Sequence, residues 1–206
     1  VLGRPSPDTA LSRHYAGVLA RQPVLPVVAD PVELFRRTDA DRHWLAELLA
    51  QRPSRMVFVG HVSTAVDGGG AEGAALHLAC PAEVAGHADP VGAHRPLQVR
   101  DLLELDAPIP SRVALVACAS GGDYRFDEAA GLVAALVIGG AEVVTATLWS
   151  LPTAAGHRQA APDPLSVTED PMAELVIGVD EAHQGRDPRP CRQPVAAGPD
   201  AAVARR

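Results

Sequence analysis

The stretch RVALVACASGGDYRFDEAAGLVAALVIGGAEVVTATLW, residues 112–149, reads strand, turn, helix, strand. Arg112 to Ala117 is a short apolar run of the length and character of a buried parallel strand. Cys118-Ala119-Ser120-Gly121-Gly122 comes next, where small residues and paired glycines let the backbone turn sharply. Asp127 is placed to cap a helix whose apolar residues continue from Ala129 to Ile138, and Gly139-Gly140 is its stop signal. Val143 to Trp149 is rich in β-branched residues and predicts a second buried strand. Such a unit puts Cys118 at the carboxyl end of a central strand, where open α/β sheets carry ligands and catalytic groups.

Composition bounds the rest. A chain of 206 residues is long enough for one domain with a real core and room for an appendage. Apolar residues reach 47% but aromatics only 3%, so the core must be built from aliphatics and alanine. All 18 basic residues are arginine, which reflects codon composition rather than physics. The net charge of −7, with no basic block, argues against nucleic acid and against an anionic membrane surface as partners. There is no signal peptide and no apolar run approaching the ~18 residues of a membrane span, so the reading is soluble and cytoplasmic. Three widely spaced cysteines make no disulfide framework. The chain begins at Val1 rather than methionine and reads as a piece of something longer.

Patterning divides the chain into three regions. Residues 1–52 read as a helical segment: a short helix from Asp8 to Ala20, and a proline-bearing connector from Gln22 to Ala29. Asp30-Pro31-Val32-Glu33 is a helix start with a cap, an N1 proline and an acid at N3. Thr38 to Asp41 starts another helix, with Trp44, Leu45, Leu48 and Leu49 on one face and Pro53 as its end. Residues 53–186 form the main body. There Met56 to Val59 is a strand that stops at Gly60-His61, Ala74 to Leu78 a further strand, and Pro81 to Pro96 a loop. Val99 to Leu105 and Met172 to Gln184 are helical. Residues 187–206, rich in proline and alanine, read as a disordered tail.

His61 and Cys118 each end a predicted parallel strand, 57 residues apart. A histidine beside a cysteine is the minimum for nucleophilic acyl transfer: the imidazole draws off the thiol proton and the thiolate attacks a carbonyl. The turn after Cys118 and the helix from Asp127 would aim backbone N–H groups at the developing oxyanion. The plainer reading of each residue is structural, since a cysteine in an apolar strand is usually a small core hydrophobe. Two other patterns compete. Gly68, Gly70 and Gly73 match the dinucleotide fingerprint, which needs a strand before it and a helix after it. A strand comes after it here, so the run reads as a substrate-side loop, and a nucleotide-binding oxidoreductase rests on it alone. His77, Cys80, His87 and His94 match no zinc-finger spacing and read as a solvated loop. Neither a metal nor a cofactor is expected.

Val57 to His61, Ala114 to Gly121, Gly131 to Ala135 and Gly140 to Trp149, in that order, resemble CHAT domains. These are the caspase-like, separase-related domains often found behind tetratricopeptide repeats. Glu181 to Gln184 also resembles the family's C-terminal segment, so the likeness spans Arg55 to Gln184. It implies an α/β, caspase-hemoglobinase-like fold with a parallel central sheet flanked by helices, and a cysteine peptidase mechanism. His61 would be the general base, Cys118 the nucleophile, and the backbone N–H groups of Val62 and Cys118 the oxyanion hole. Two positions depart from the family pattern. Val62 stands where glycine is usual, which keeps the N–H but restricts the dihedrals that aim it. Ser120 stands where threonine is usual.

The function expected is a CHAT-type cysteine endopeptidase acting on a protein or peptide, regulated by a partner or a repeat domain. The alternative is a catalytically silent CHAT-type interaction module. Relatives such as separase cut after basic residues. Asp123 and Asp127 lie just beyond Cys118, so arginine or lysine before the scissile bond is expected, with Asp123 binding it.

Overall fold

The computed structural model describes residues 9–35, 37–63, 71–105, 107–117, 131–147, 151, 159 and 170–184. Its centre is β5 (Arg112–Val116), which pairs in parallel with β1 (Arg55–Val59) on one side and β6 (Val143–Ala146) on the other. Val113 to Ala117 are each no more than 2% exposed, so this strand is covered on both faces. That burial is why the run is apolar throughout rather than alternating.

Side chains of successive strand residues point to opposite faces, and the two cores obey that alternation. Val113 and Leu115 enter the larger core, with Leu45 and Leu49 of α2 (Arg42–Ala50), Leu102 of α3 (Val99–Glu104) and Leu132 and Leu136 of α4 (Leu132–Ile138). Val116 enters the other, with Leu11, Tyr15 and Val18 of α1 (Ala10–Arg21) and Ala173 and Val176 of α5 (Pro171–Gln184). The order is therefore helices, sheet, helices, with the first and last of these helices sharing one face.

Local chemistry sets the element ends. Asp41 caps α2 by accepting the Trp44 N–H at 2.8 Å. The Asp30–Glu33 capping box forms, but the element it opens is only a 3-10 turn, Pro31–Leu34. α4 closes on Gly140, where the N–H of Ala141 donates to the Leu136 carbonyl (2.9 Å) and that of Gly140 to Val137 (3.1 Å). This double bond pattern needs a residue with positive φ, and Gly140 has φ 113°. Replacing Gly140 by alanine is expected to cost about 1–3 kcal/mol in a urea unfolding titration. An unchanged midpoint would show that the turn tolerates a side chain.

A small antiparallel sheet lies beside the exit of β1, in the order β2 (Val62–Ser63), β3 (Ala75–Leu76), β4 (Leu97–Gln98). The loop from Pro81 to Pro96 is tied down internally, with the Arg95 guanidinium donating to the carbonyls of Ala82 and Ala88. Asp101 fastens it to the body by accepting from Arg42 (2.9 Å), from the His87 N–H (3.1 Å) and from the Gln98 N–H (2.8 Å).

Some expected elements are shorter than the sequence suggests. β3 covers two residues of the run Ala74 to Leu78, because β2 offers only two partners. β6 pairs as far as Ala146, and the end of the run, Leu148-Trp149, lies outside the described residues. So do residues 185–206 and most of the turn after β5. Among the described residues no helix is long and apolar enough to cross a membrane.

Candidate functional site

β1 delivers His61 through a glycine that the packing requires. A Cβ on Gly60 would stand 2.6 Å from Cζ of the Phe58 ring, so a side chain there would displace a core aromatic. The Gly60 N–H donates to the Val116 carbonyl at 3.3 Å, which carries the β1–β5 ladder one residue past Val59. His61 then emerges exposed.

The register of β1 on β5 has a constant interval. Every pair between β1 and β5 joins residues 57 positions apart, from Arg55 with Arg112 to Val59 with Val116. His61 and Cys118 are separated by the same interval, each two positions beyond the last pair. Cys118 itself lies outside the described residues, as do Asp123 and Asp127. The strand leading to Cys118 is firmly held: Ala117 is buried, and the Thr147 hydroxyl donates to its carbonyl from the exit of β6.

Val62 opens β2, opposite Leu76. The His77 N–H donates to the His61 carbonyl at 3.0 Å, which makes Val62–Leu76 a non-hydrogen-bonded pair. In such a pair Val62 turns its own N–H away from β3. The Val62 N–H is thus not spent in this ladder.

Sequence reasoning missed what stands behind His61. The His77 ring lies edge-on to His61, with centroids 6.4 Å apart and an angle of 75° between planes. Nδ1 of His77 is 2.9 Å from Nε2 of His94, a hydrogen bond in which one ring donates and the other accepts. Burial pushes the His77 pKa down, and positive charge on His94 or His61 pushes it further. The signal was available in principle: antiparallel pairing of two short strands sets residues 61 and 77 across from each other.

The other residues of the supposed zinc set are elsewhere engaged. Cys80 is fully buried, and its sulfur accepts the Arg42 Nε–H at 3.3 Å. His87 pairs with Glu104 at 3.0 Å. Among the described residues no three His, Cys, Asp or Glu side chains are arranged to hold a metal ion. Of the glycine fingerprint, Gly68 and Gly70 lie outside the described residues, and Gly73 ends a 3-10 turn that leads into β3, a strand rather than a helix.

A family model for the CHAT domain matches residues 5–160. The chain belongs to the CHAT domain family. Its mixed α/β build, with a parallel sheet β1-β5-β6 between helices, is the caspase-like plan of the CHAT domain. The match begins within the segment that carries α1, a helix packed on α5 and β5. No curated protein matches the chain.

The opposite, amino edge of this CHAT domain carries a buried polar cluster. Asp180 of α5, 1% exposed, accepts from His14 of α1 (2.7 Å), from Gln184 (2.7 Å) and from Arg55, the first residue of β1. Burial alone would raise the Asp180 pKa. The bonds from His14 and Arg55, the Arg55 charge and the Gln184 bond outweigh it and hold the carboxyl below its ordinary value. His183, 4% exposed, shares a hydrogen bond of 2.8 Å with the Thr145 hydroxyl, while its buried Nδ1 has no partner among the described residues. Burial, then the charges of Arg112 and Arg55, push its pKa down and keep the ring neutral near pH 7. These residues join α1, β1, β6 and α5, with Arg55 at the end of the sheet remote from His61.

Proposed function

We propose that this CHAT domain is a cysteine endopeptidase in which His61 and Cys118 form the catalytic dyad. The supporting observation is the shared interval of 57 residues: His61 and Cys118 stand as far apart in the sequence as each residue pair of β1 and β5. His61 draws the thiol proton from Cys118, and the thiolate sulfur attacks the scissile carbonyl. The N–H groups of Val62 and Cys118 stabilise the oxyanion. His61 then protonates the departing amine, and water, giving its proton back to His61, releases the acyl group from sulfur. A protein or peptide is the substrate, and a regulatory partner or a repeat domain controls the alignment of the dyad.

One observation favours the silent interaction module instead. Val62 is β-branched and sits in β2, so its backbone has less freedom to aim an N–H than glycine would give. Thiol chemistry separates the two readings. A free thiol has a pKa of about 8.5 and is only a few per cent thiolate at neutral pH. A dyad should therefore make iodoacetamide modify Cys118 about tenfold faster than Cys191 at pH 7, as read by peptide mass spectrometry. Cys80 is buried and should stay unmodified. His61→Ala should bring Cys118 down to the Cys191 rate. Equal rates in the unaltered protein, or a Cys118 rate indifferent to His61, would leave the interaction module as the reading.

A further inference from the structure

We propose that His77 is a positioning residue for His61, fixed in its turn by His94. The proposal rests on the dyad reading above. Two contacts carry it. The His77 N–H donates to the His61 carbonyl at 3.0 Å, and the His77 ring walls one side of the His61 ring with centroids 6.4 Å apart. An exposed imidazole with no such wall samples several rotamers, and a base must be held in one to take a proton efficiently.

His94 makes the wall rigid. Its Nε2 lies 2.9 Å from Nδ1 of His77, and the ring centroids are 5.1 Å apart. His94 is held from the loop side, since the Val91 N–H donates to its carbonyl at 2.7 Å. One of the two imidazoles must offer a lone pair, so the bond cannot survive when both rings are cationic. The groups that bear on the charge of His77 are His94 from the loop and His61 from the β1 exit. Near neutrality burial keeps His77 uncharged, and it orients His61 without opposing the imidazolium that forms there. A proton on each ring would break this bond and place positive charge beside the base, whose ring centroid is 6.4 Å from that of His77. Reactivity at Cys118 should then fall on the acid side more steeply than one titration allows.

The test is the iodoacetamide rate at Cys118 from pH 5 to pH 9 in four variants of the full chain. His61→Ala reports the dyad. His77→Ala removes the wall, His77→Phe keeps a ring without nitrogens, and His94→Phe leaves His77 in place without its anchor. All retain the backbone bond to His61, and thermal midpoints show which are folded. His77→Ala should lower the rate near pH 7.5 by roughly threefold to tenfold. Both phenylalanine variants should show a shallower acid limb. A ring that merely filled space would leave that limb unmoved. A His77→Ala rate equal to the original near pH 7.5 overturns the wall, and phenylalanine variants whose profiles superimpose on the original overturn the part given to the His77–His94 bond, while the dyad stands in either case. A Cys118 rate unaffected by His61→Ala overturns the dyad, and this inference with it.

Discussion

Asp180→Ala is expected to lower the unfolding free energy by about 3–5 kcal/mol, a large share of what a domain of this size commands. Asp180 is 1% exposed and is met by donors from three elements: His14 of α1, Arg55 of β1 and Gln184 of its own helix. Removing the carboxylate leaves the Arg55 guanidinium, itself 17% exposed, facing a hole rather than a counter-charge. An uncompensated buried charge costs more than the intact pair contributes, so the loss exceeds that of a surface ion pair several-fold. Asp180→Asn keeps the shape and gives up the charge, and should cost less, about 1–3 kcal/mol. The pH dependence comes from the sign of the shift. The folded carboxyl titrates below its unfolded value of about 3.9, so its contribution is complete above that value and is lost as pH falls through the folded one. His183 acts in a different window. Its lowered pKa makes stability decline as pH drops below about 6.5 and level off below the folded value. Urea titrations at pH 7, 5 and 3 separate these effects. A loss under 1 kcal/mol for the alanine variant at pH 7 would mean that the cluster is not a cornerstone.

The features visible in the sequence were those that local physics decides. The β5 run is legible because a strand buried on both faces must be apolar at every position. The caps at Asp41 and Asp30, and the glycine pair after α4, are legible because each satisfies backbone groups within a few residues of itself. The Asp180 cluster is not. His14 and Asp180 are 166 positions apart, Arg55 is 125 from Asp180, and each alone looks like an ordinary polar residue on a helix or strand. His77 lies between the two cases: the strand Ala74 to Leu78 is legible, but only the pairing of β3 with β2 brings its histidine against His61. The spacing of His61 and Cys118 was visible as a number. Its meaning, that it equals the register of β1 on β5, belongs to the sheet.

That equality sets the last expectation, which concerns turnover. In a peptide-library assay near neutral pH, cleavage is expected after arginine or lysine, with the Asp123 carboxylate binding the basic side chain. Cys118→Ala should abolish it, because the acyl intermediate is then left without its sulfur. His61→Ala should lower kcat/KM by about 10²–10⁴-fold, the usual contribution of a positioned general base. The residual rate would come from the oxyanion donors and from binding, which this change leaves alone. His61 is exposed and lies past the end of β1, so its truncation should barely move the unfolding midpoint, and a lost rate can be assigned to chemistry. The assay is run with the full chain, alone and with a repeat-domain partner, since a regulated peptidase is aligned only when triggered. Cleavage that persists in Cys118→Ala would remove the nucleophile from the mechanism. A preference for aspartate or for apolar residues before the scissile bond would remove Asp123 from the pocket and leave the dyad as it stands.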